Sequence, residues 1–250
     1  MERSKYTIRK LTISLSLISS ITLYSAENTN KKAIYAAYIN KDMNKWAAVI
    51  QDIETKSPPK TIDLKLELIS YYYGYTAFII GMKKYDEAEK LIAKANLIIN
   101  EVIKHSPKNA TALSYKGSFI GYKIGVSKFK AIYLGQESLN NVENALEIDP
   151  HNIQANIDRG NIYYYSPKLF GGNKAEALKY YIKATKLIET QKATDYNWLY
   201  LNLLTNTALA LEKTNDLIQA KQIYEKILKK EPSFHWVKNE LYPKLLNKLQ

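Results

Sequence analysis

A chain of 250 residues with nine glycines, seven prolines and no cysteine has too few turn residues for an all-β fold. It also excludes disulfides, thiolate metal sites and a cysteine nucleophile. The residues are 46% hydrophobic and 24% charged, as in a folded domain, and the net charge of +12 favours anionic partners. Lysines and glutamates mix along the chain at helical spacing, so much of that charge reads as solvation.

The chain opens on Arg3, Lys5, Arg9 and Lys10, runs through an apolar stretch from Leu11 to Leu23, and reaches the small residues Ser25 and Ala26. That is the layout of an export signal: a core of about 13 residues, too short for a bilayer that needs roughly 20. The expectation is export to the periplasm or cell envelope, with residues 1–26 a signal peptide and 27–250 the working domain. Loss of residues 1–26 removes four basic residues and one acid, lowering the net charge from +12 to +9. No later segment is apolar enough to cross a membrane, and nucleic acid is not an expected partner of an exported chain.

From residue 30 the pattern is helical and paired. Helix-period apolar runs broken by turn residues place pairs at about 30–56, 61–105, 109–147, 152–190 and 195–230, with a capping helix over 233–249. Three of these runs end alike, at Ser106-Pro107-Lys108-Asn109, Asp149-Pro150-His151-Asn152 and Glu231-Pro232-Ser233-Phe234. Proline cannot continue the helix before it but suits the turn into the next. Gly117 stands ten residues beyond Pro107, and Gly160 ten beyond Pro150. A residue without bulk at one fixed place lets a neighbouring helix come close. Ala208, Ala220, Tyr224, Ile227 and Pro232 follow at intervals of 12, 4, 3 and 5. Ala177, Tyr181 and Ala184 repeat part of that spacing, and Tyr85-Asp86-Glu87-Ala88 with Ile92 and Ala95 opens another second helix.

This order of small, small, aromatic, apolar and proline positions resembles the tetratricopeptide repeat, over about residues 30 to 250. The resemblance implies an all-α fold, an antiparallel helix-pair solenoid with a C-terminal capping helix, and binding rather than catalysis. The intervals depart from that family's period of roughly 34 residues. Gly117 to Gly160 is 43 residues and Gly160 to Ala208 is 48. The first pair departs further, with Trp46 where a small residue is usual. At the helix starts, Asn173 and Glu176 have the spacing of a capping box, and Asp216 suits an N-cap.

One turn is longer than the others. Ser166-Pro167-Lys168-Leu169-Phe170-Gly171-Gly172-Asn173 interrupts the fourth pair, with two glycines that permit positive φ. With Tyr163, Tyr164 and Tyr165 before it, the segment resembles the P-x-x-F-G-G insertion of a group of exported bacterial tetratricopeptide proteins. More distantly it is similar to the periplasmic T-component family associated with TRAP transporters. That second resemblance implies small-ligand binding or a transporter-accessory role. Phe170, Gly171 and Gly172 are therefore loop candidates for a site, although a large apolar residue on a connection is expected to pin the loop to the core.

The remaining chemistry belongs to the 21 tyrosines. The runs Tyr71-Tyr72-Tyr73 and Tyr163-Tyr164-Tyr165 fall on first helices of pairs, which in the resembled family line the concave face. Successive helical positions point about 100° apart, so each run should give one tyrosine to the core and at least one to the groove. Repeat register makes Tyr73, Tyr122, Tyr164 and Tyr165 the groove candidates, with Gln154, Asn161, Asn202, Thr205 and Asn206. Such a lining suits a protein or peptide partner, an acidic one matching the basic charge, or a polar small ligand. His105, His151 and His235 fall in different turns, so no metal site is expected. No cofactor or catalytic residue is expected either: a Walker loop, a dinucleotide glycine motif, His-Glu-x-x-His and a nucleophile elbow are all missing.

Overall fold

The computed structural model describes residues 29–250, and the expected signal over residues 1–26 lies outside them. The described residues form helices and turns with no strand among them. In chain order the helices are α1 (29–39), α2 (Met43–Lys56), α3 (Ile62–Gly81), α4 (Tyr85–His105), α5 (Ala110–Val126) and α6 (Ala131–Ile148). They continue with α7 (Ile153–Tyr165), α8 (Lys174–Thr190), α9 (Trp198–Lys213), α10 (Leu217–Lys230) and α11 (Tyr242–Leu249). Neighbours pack as hairpins, α3 on α4, α5 on α6, α7 on α8 and α9 on α10, and each hairpin stacks on the next. The fold is an all-α array of antiparallel helix pairs.

Local chemistry starts most of these helices. Asp42, Thr61, Asn109, Asn152, Asn173, Asn197 and Asp216 each accept a hydrogen bond from a backbone N–H of the first turn. The capping box at Asn173 is only half made. Its side chain takes the N–H groups of Ala175 and Glu176, but Glu176 turns to Lys179 while the Asn173 N–H donates to the Tyr163 carbonyl. Near the end, Pro243 lacks the N–H that would bond Asn239, and the chain passes through a π-turn over Val237–Leu241 before α11.

The small residues sit where helices cross. Ala88, Ala95, Ala177, Ala184, Ala208 and Ala220 are fully buried. A Cβ on Gly117 would lie 2.7 Å from the Ser138 carbonyl, and one on Gly160 would lie 2.5 Å from the ring of buried Tyr181. Both glycines let the second helix of their pair press onto the first.

Two kinds of turn join first to second helices. The α1–α2, α3–α4 and α9–α10 turns are tight and carry one left-handed residue, Lys41, Lys83 and Asn215, at φ of 59°, 59° and 64°. The α5–α6 and α7–α8 turns instead insert a short 3-10 turn, Lys128–Lys130 and Lys168–Phe170.

The first pair joins the two ends of the array. Trp46 of α2 donates its indole N–H to the Tyr71 carbonyl of α3 (3.0 Å) and meets Trp198 of α9 edge to face, with ring centroids 4.9 Å apart. Gly74 of α3 makes room for both rings: a Cβ there would lie 2.7 Å from Trp46 and 2.8 Å from Trp198. Tyr38 of α1 adds contacts to Trp198 and to Phe234, beyond α10. The arc of first helices, α3, α5, α7 and α9, is thus bridged by α1 and α2.

Candidate functional site: a tyrosine-lined inner wall

Three first helices meet around one buried acid. Asp158, midway along α7, is 1% exposed, where an unsolvated carboxylate needs hydrogen-bond donors. It accepts from Tyr73 Oη of α3 (3.0 Å), Ser114 Oγ of α5 (2.6 Å) and Gln154 Nε2 one turn earlier (3.0 Å). These donors are neutral. Burial raises the Asp158 pKa from 3.8 to about 6, while hydrogen bonds from Ser114, Gln154, Ser118 and Tyr73 pull it down. Gln154 leaves its Oε1 buried without a partner.

The acid ends a directed chain of hydrogen bonds. Tyr181 Oη of α8 donates to Asn161 Oδ1 (2.8 Å), Asn161 Nδ2 donates to Tyr73 Oη (2.7 Å), and Tyr73 donates to Asp158. Each link crosses between helices, so the relay fixes α3, α5, α7 and α8 against one another. A single acid with almost no contact with solvent gives a substrate no access to a proton. Its chemistry here is positional.

In front of the relay lies the wall. Tyr122 of α5 stacks on Tyr73, with centroids 5.4 Å apart, and donates to the Tyr73 carbonyl (3.2 Å). On α9, Asn206 donates to Asn202 Oδ1 and Asn202 donates to Tyr38 Oη, both at 3.1 Å. Tyr164 and Tyr165 pair edge to face at 4.9 Å, and the Lys174 ammonium sits 4.4 Å over the Tyr164 ring. Burial holds the Tyr38 and Tyr122 hydroxyls well above the usual phenol range. Tyr165 keeps 70% of its surface open to solvent, yet the protein around it pushes its pKa up to about 12.

The sequence candidates divide by depth. Tyr122, Asn161, Tyr164, Asn202 and Asn206 are half-buried on the wall, and Tyr165 is exposed on it. Tyr73, Gln154 and Thr205 lie beneath it: the first two serve Asp158, and Thr205 bonds the Leu201 carbonyl of its own helix. The run Tyr71-Tyr72-Tyr73 gives no groove residue, because all three rings are buried as α2, α5 and α7 close over α3. Phe170 is not pinned in the core. It is 70% exposed and Leu169 is 88% exposed. The glycines serve the loop itself: Gly171 has φ +82°, and a Cβ on Gly172 would collide with the Ser166 carbonyl. Sequence reasoning missed Asp158, Ser114, Tyr38 and Trp198. Asp158 left a signal, an acid four residues after Gln154 and three before Asn161 on a helix expected to line the groove. Tyr38 and Trp198 left none, since what brings them together is the closure of the array.

Comparison with known proteins places the fold. No protein-family model matches the chain, and no curated protein matches it in sequence. Among solved structures, the HusA haemophore from Porphyromonas gingivalis superposes with a TM-score of 0.57 at 17% identity, over 72% of this chain and 94% of that one. TTC0263, a thermophilic TPR protein of Thermus thermophilus, superposes with a TM-score of 0.54 at 14% identity, over 83% of this chain and 93% of that one. With the paired helices and the buried small residues, these likenesses establish a tetratricopeptide-like helical repeat fold.

Proposed function

We propose that this chain is a non-catalytic binding protein that takes a protein or peptide segment on its inner wall. The observation that carries the reading is the set of half-buried tyrosine and asparagine side chains on the inner helices, Tyr38, Tyr122, Tyr164, Asn202 and Asn206 with the exposed Tyr165, backed by the Asp158 relay. Half-buried tyrosine and asparagine offer donors, acceptors and apolar faces with little side-chain entropy to lose. The basic composition favours an acidic segment. The signal-like layout of residues 1–26, and the resemblance of the Phe170 loop to that of exported repeat proteins, support a place in the cell envelope.

The test is affinity capture by the full chain from its own cell envelope, repeated with Tyr165→Ala and Asn206→Ala. Neither residue is needed to fill the core, so far-ultraviolet circular dichroism should stay unchanged while the captured set is lost. An unchanged set would refute the reading.

One observation favours a second occupant. The exposed Tyr165 ring stands edge to face with Tyr164, a surface that suits a flat aromatic ligand, and one structural relative is named a haemophore. Titration of haem into the chain, followed by its Soret band, separates this reading from the first. A saturable shift abolished by Tyr165→Ala supports it, and the absence of a shift removes it.

A further inference from the structure

Most of the strongly exposed apolar side chains of this protein lie on or beside the turns between first and second helices, Leu97 of α4 being the exception. The first helices run parallel, with α3 packed on α5 and α5 on α7, so the turns that end them share one edge of the array: Ile80 lies 3.8 Å from where a Cβ on Gly125 would sit. On that edge the two inserted 3-10 turns follow the ends of α5 and α7, which pack against each other. Phe129, Ile132 and Leu169 are 84–88% exposed, and Tyr133 and Phe170 follow at 65% and 70%. Met82 and Ile218 continue the row on the flanking turns. Exposure of that degree means that the tips stand off the body, with few protein atoms beside them.

The two inserted turns themselves carry charge of one sign. Residues 122–133 and 165–174 contain Lys123, Lys128, Lys130, Lys168 and Lys174 and no acid. Lys130 reaches Glu89 of α4 at 3.2 Å, and Lys174 covers Tyr164, while Lys128 and Lys168 point into solvent beside Phe129 and Leu169.

We infer that this edge docks the protein on an anionic lipid bilayer. A projecting row of apolar tips matches a plane with an apolar interior more closely than it matches a pocket, which would need a concave counterpart. Phenylalanine, isoleucine and leucine enter the interface, and the lysines stay at phosphate level, each adding attraction to an anionic surface. No helix among the described residues is long and apolar enough to span the membrane, so attachment through this edge is peripheral and sensitive to salt. The inner wall is left open beside the membrane, at the end where Tyr165 lies.

The experiment uses the full chain and vesicles of phosphatidylcholine with or without about one third phosphatidylglycerol. Phe170→Trp, read by fluorescence, should shift to the blue and be quenched by brominated lipid on the anionic vesicles. Leu97→Trp, on the exposed face of α4 away from this edge, should not respond. The combined variant Phe129→Ser, Ile132→Ser, Leu169→Ser and Phe170→Ser, which alters no core residue, should partition at least about tenfold more weakly with unchanged helicity. Equal partitioning of the variant, equal binding to neutral vesicles, or a Leu97→Trp signal as large as that of Phe170→Trp would overturn the inference. So would a wild-type chain that ignores vesicles but self-associates through these tips, shown by loss of the oligomer in the variant during sedimentation.

Discussion

Asp158 carries the sharpest consequence at the scale of single residues. Its folded pKa of about 6 lies above the ordinary 3.8, so between these values the native state holds a proton that the unfolded chain has released. The stability linked to this group is therefore complete below about pH 4 and is lost as pH rises through about 6, a change of roughly 3 kcal/mol. Asp158→Asn keeps the shape and removes the charge, and the Tyr73 and Ser114 hydroxyls can turn to accept from the new amide. Urea denaturation across pH 4–7 should show the wild type losing stability relative to the variant, with the difference curve flat outside that window. A difference independent of pH would mean that the acid is not held by burial. Gly160 makes a second case. Alanine there gains about 1 kcal/mol of helix propensity, yet its Cβ would press into the ring of Tyr181, which is fully buried and tied to Asn161. Overpacking should win, and Gly160→Ala should lower unfolding free energy by about 1–3 kcal/mol. Stabilisation by alanine would show that the Tyr181 ring is free to move.

At the scale of elements, α2 shows how far the sequence speaks and where it stops. Trp46 stands out in the sequence because a small residue is usual at its position, and nothing local accounts for it. Its reason is Trp198, more than a hundred residues along the chain, together with the gap left by Gly74. Trp46→Ala should cost about 3–5 kcal/mol, since it removes a ring that is 1% exposed and its hydrogen bond to Tyr71. Chemical denaturation measures the loss, and a cost under about 1 kcal/mol would mean that the seam is slack. The helix pairs themselves were legible, because alanine, glycine and proline recur at positions that local geometry dictates: crossings need small residues and turns need proline. Depth on the inner face was not. Tyr73 and Tyr122 share a register logic, but Tyr73 sinks because a buried acid on α7 claims its hydroxyl. The insertion at Phe170 was visible through its two glycines. Its twin at Phe129 has no glycine or proline within the turn itself, and its apolar run reads as helix.

For the whole molecule, the joining of first and last pairs changes how it should come apart. In an open array each repeat contacts only its neighbours, and a weakened end frays alone. Here Tyr35 donates to Glu231 (3.0 Å), Lys41 pairs with Glu240 (2.7 Å), and the ring of Tyr38 lies 5.0 Å from that of Phe234. The ion pair is half exposed, a class worth at most about 1 kcal/mol, whereas Phe234 is fully buried and its removal should cost about 3–5 kcal/mol. The aromatic contact therefore dominates the closure. Phe234→Ala tests this by hydrogen exchange, because it touches both ends of the chain at once. Amides of α1 and α9 should lose protection together with those of α10 and α11, while α5 and α6, on the far side of the array, keep theirs relative to global unfolding. If only α10 and α11 opened faster, the ends would be neighbours without being coupled. If α1 follows, the same closure that links the termini holds Tyr38 in place against Asn202, and the wall enters binding with that tyrosine already set.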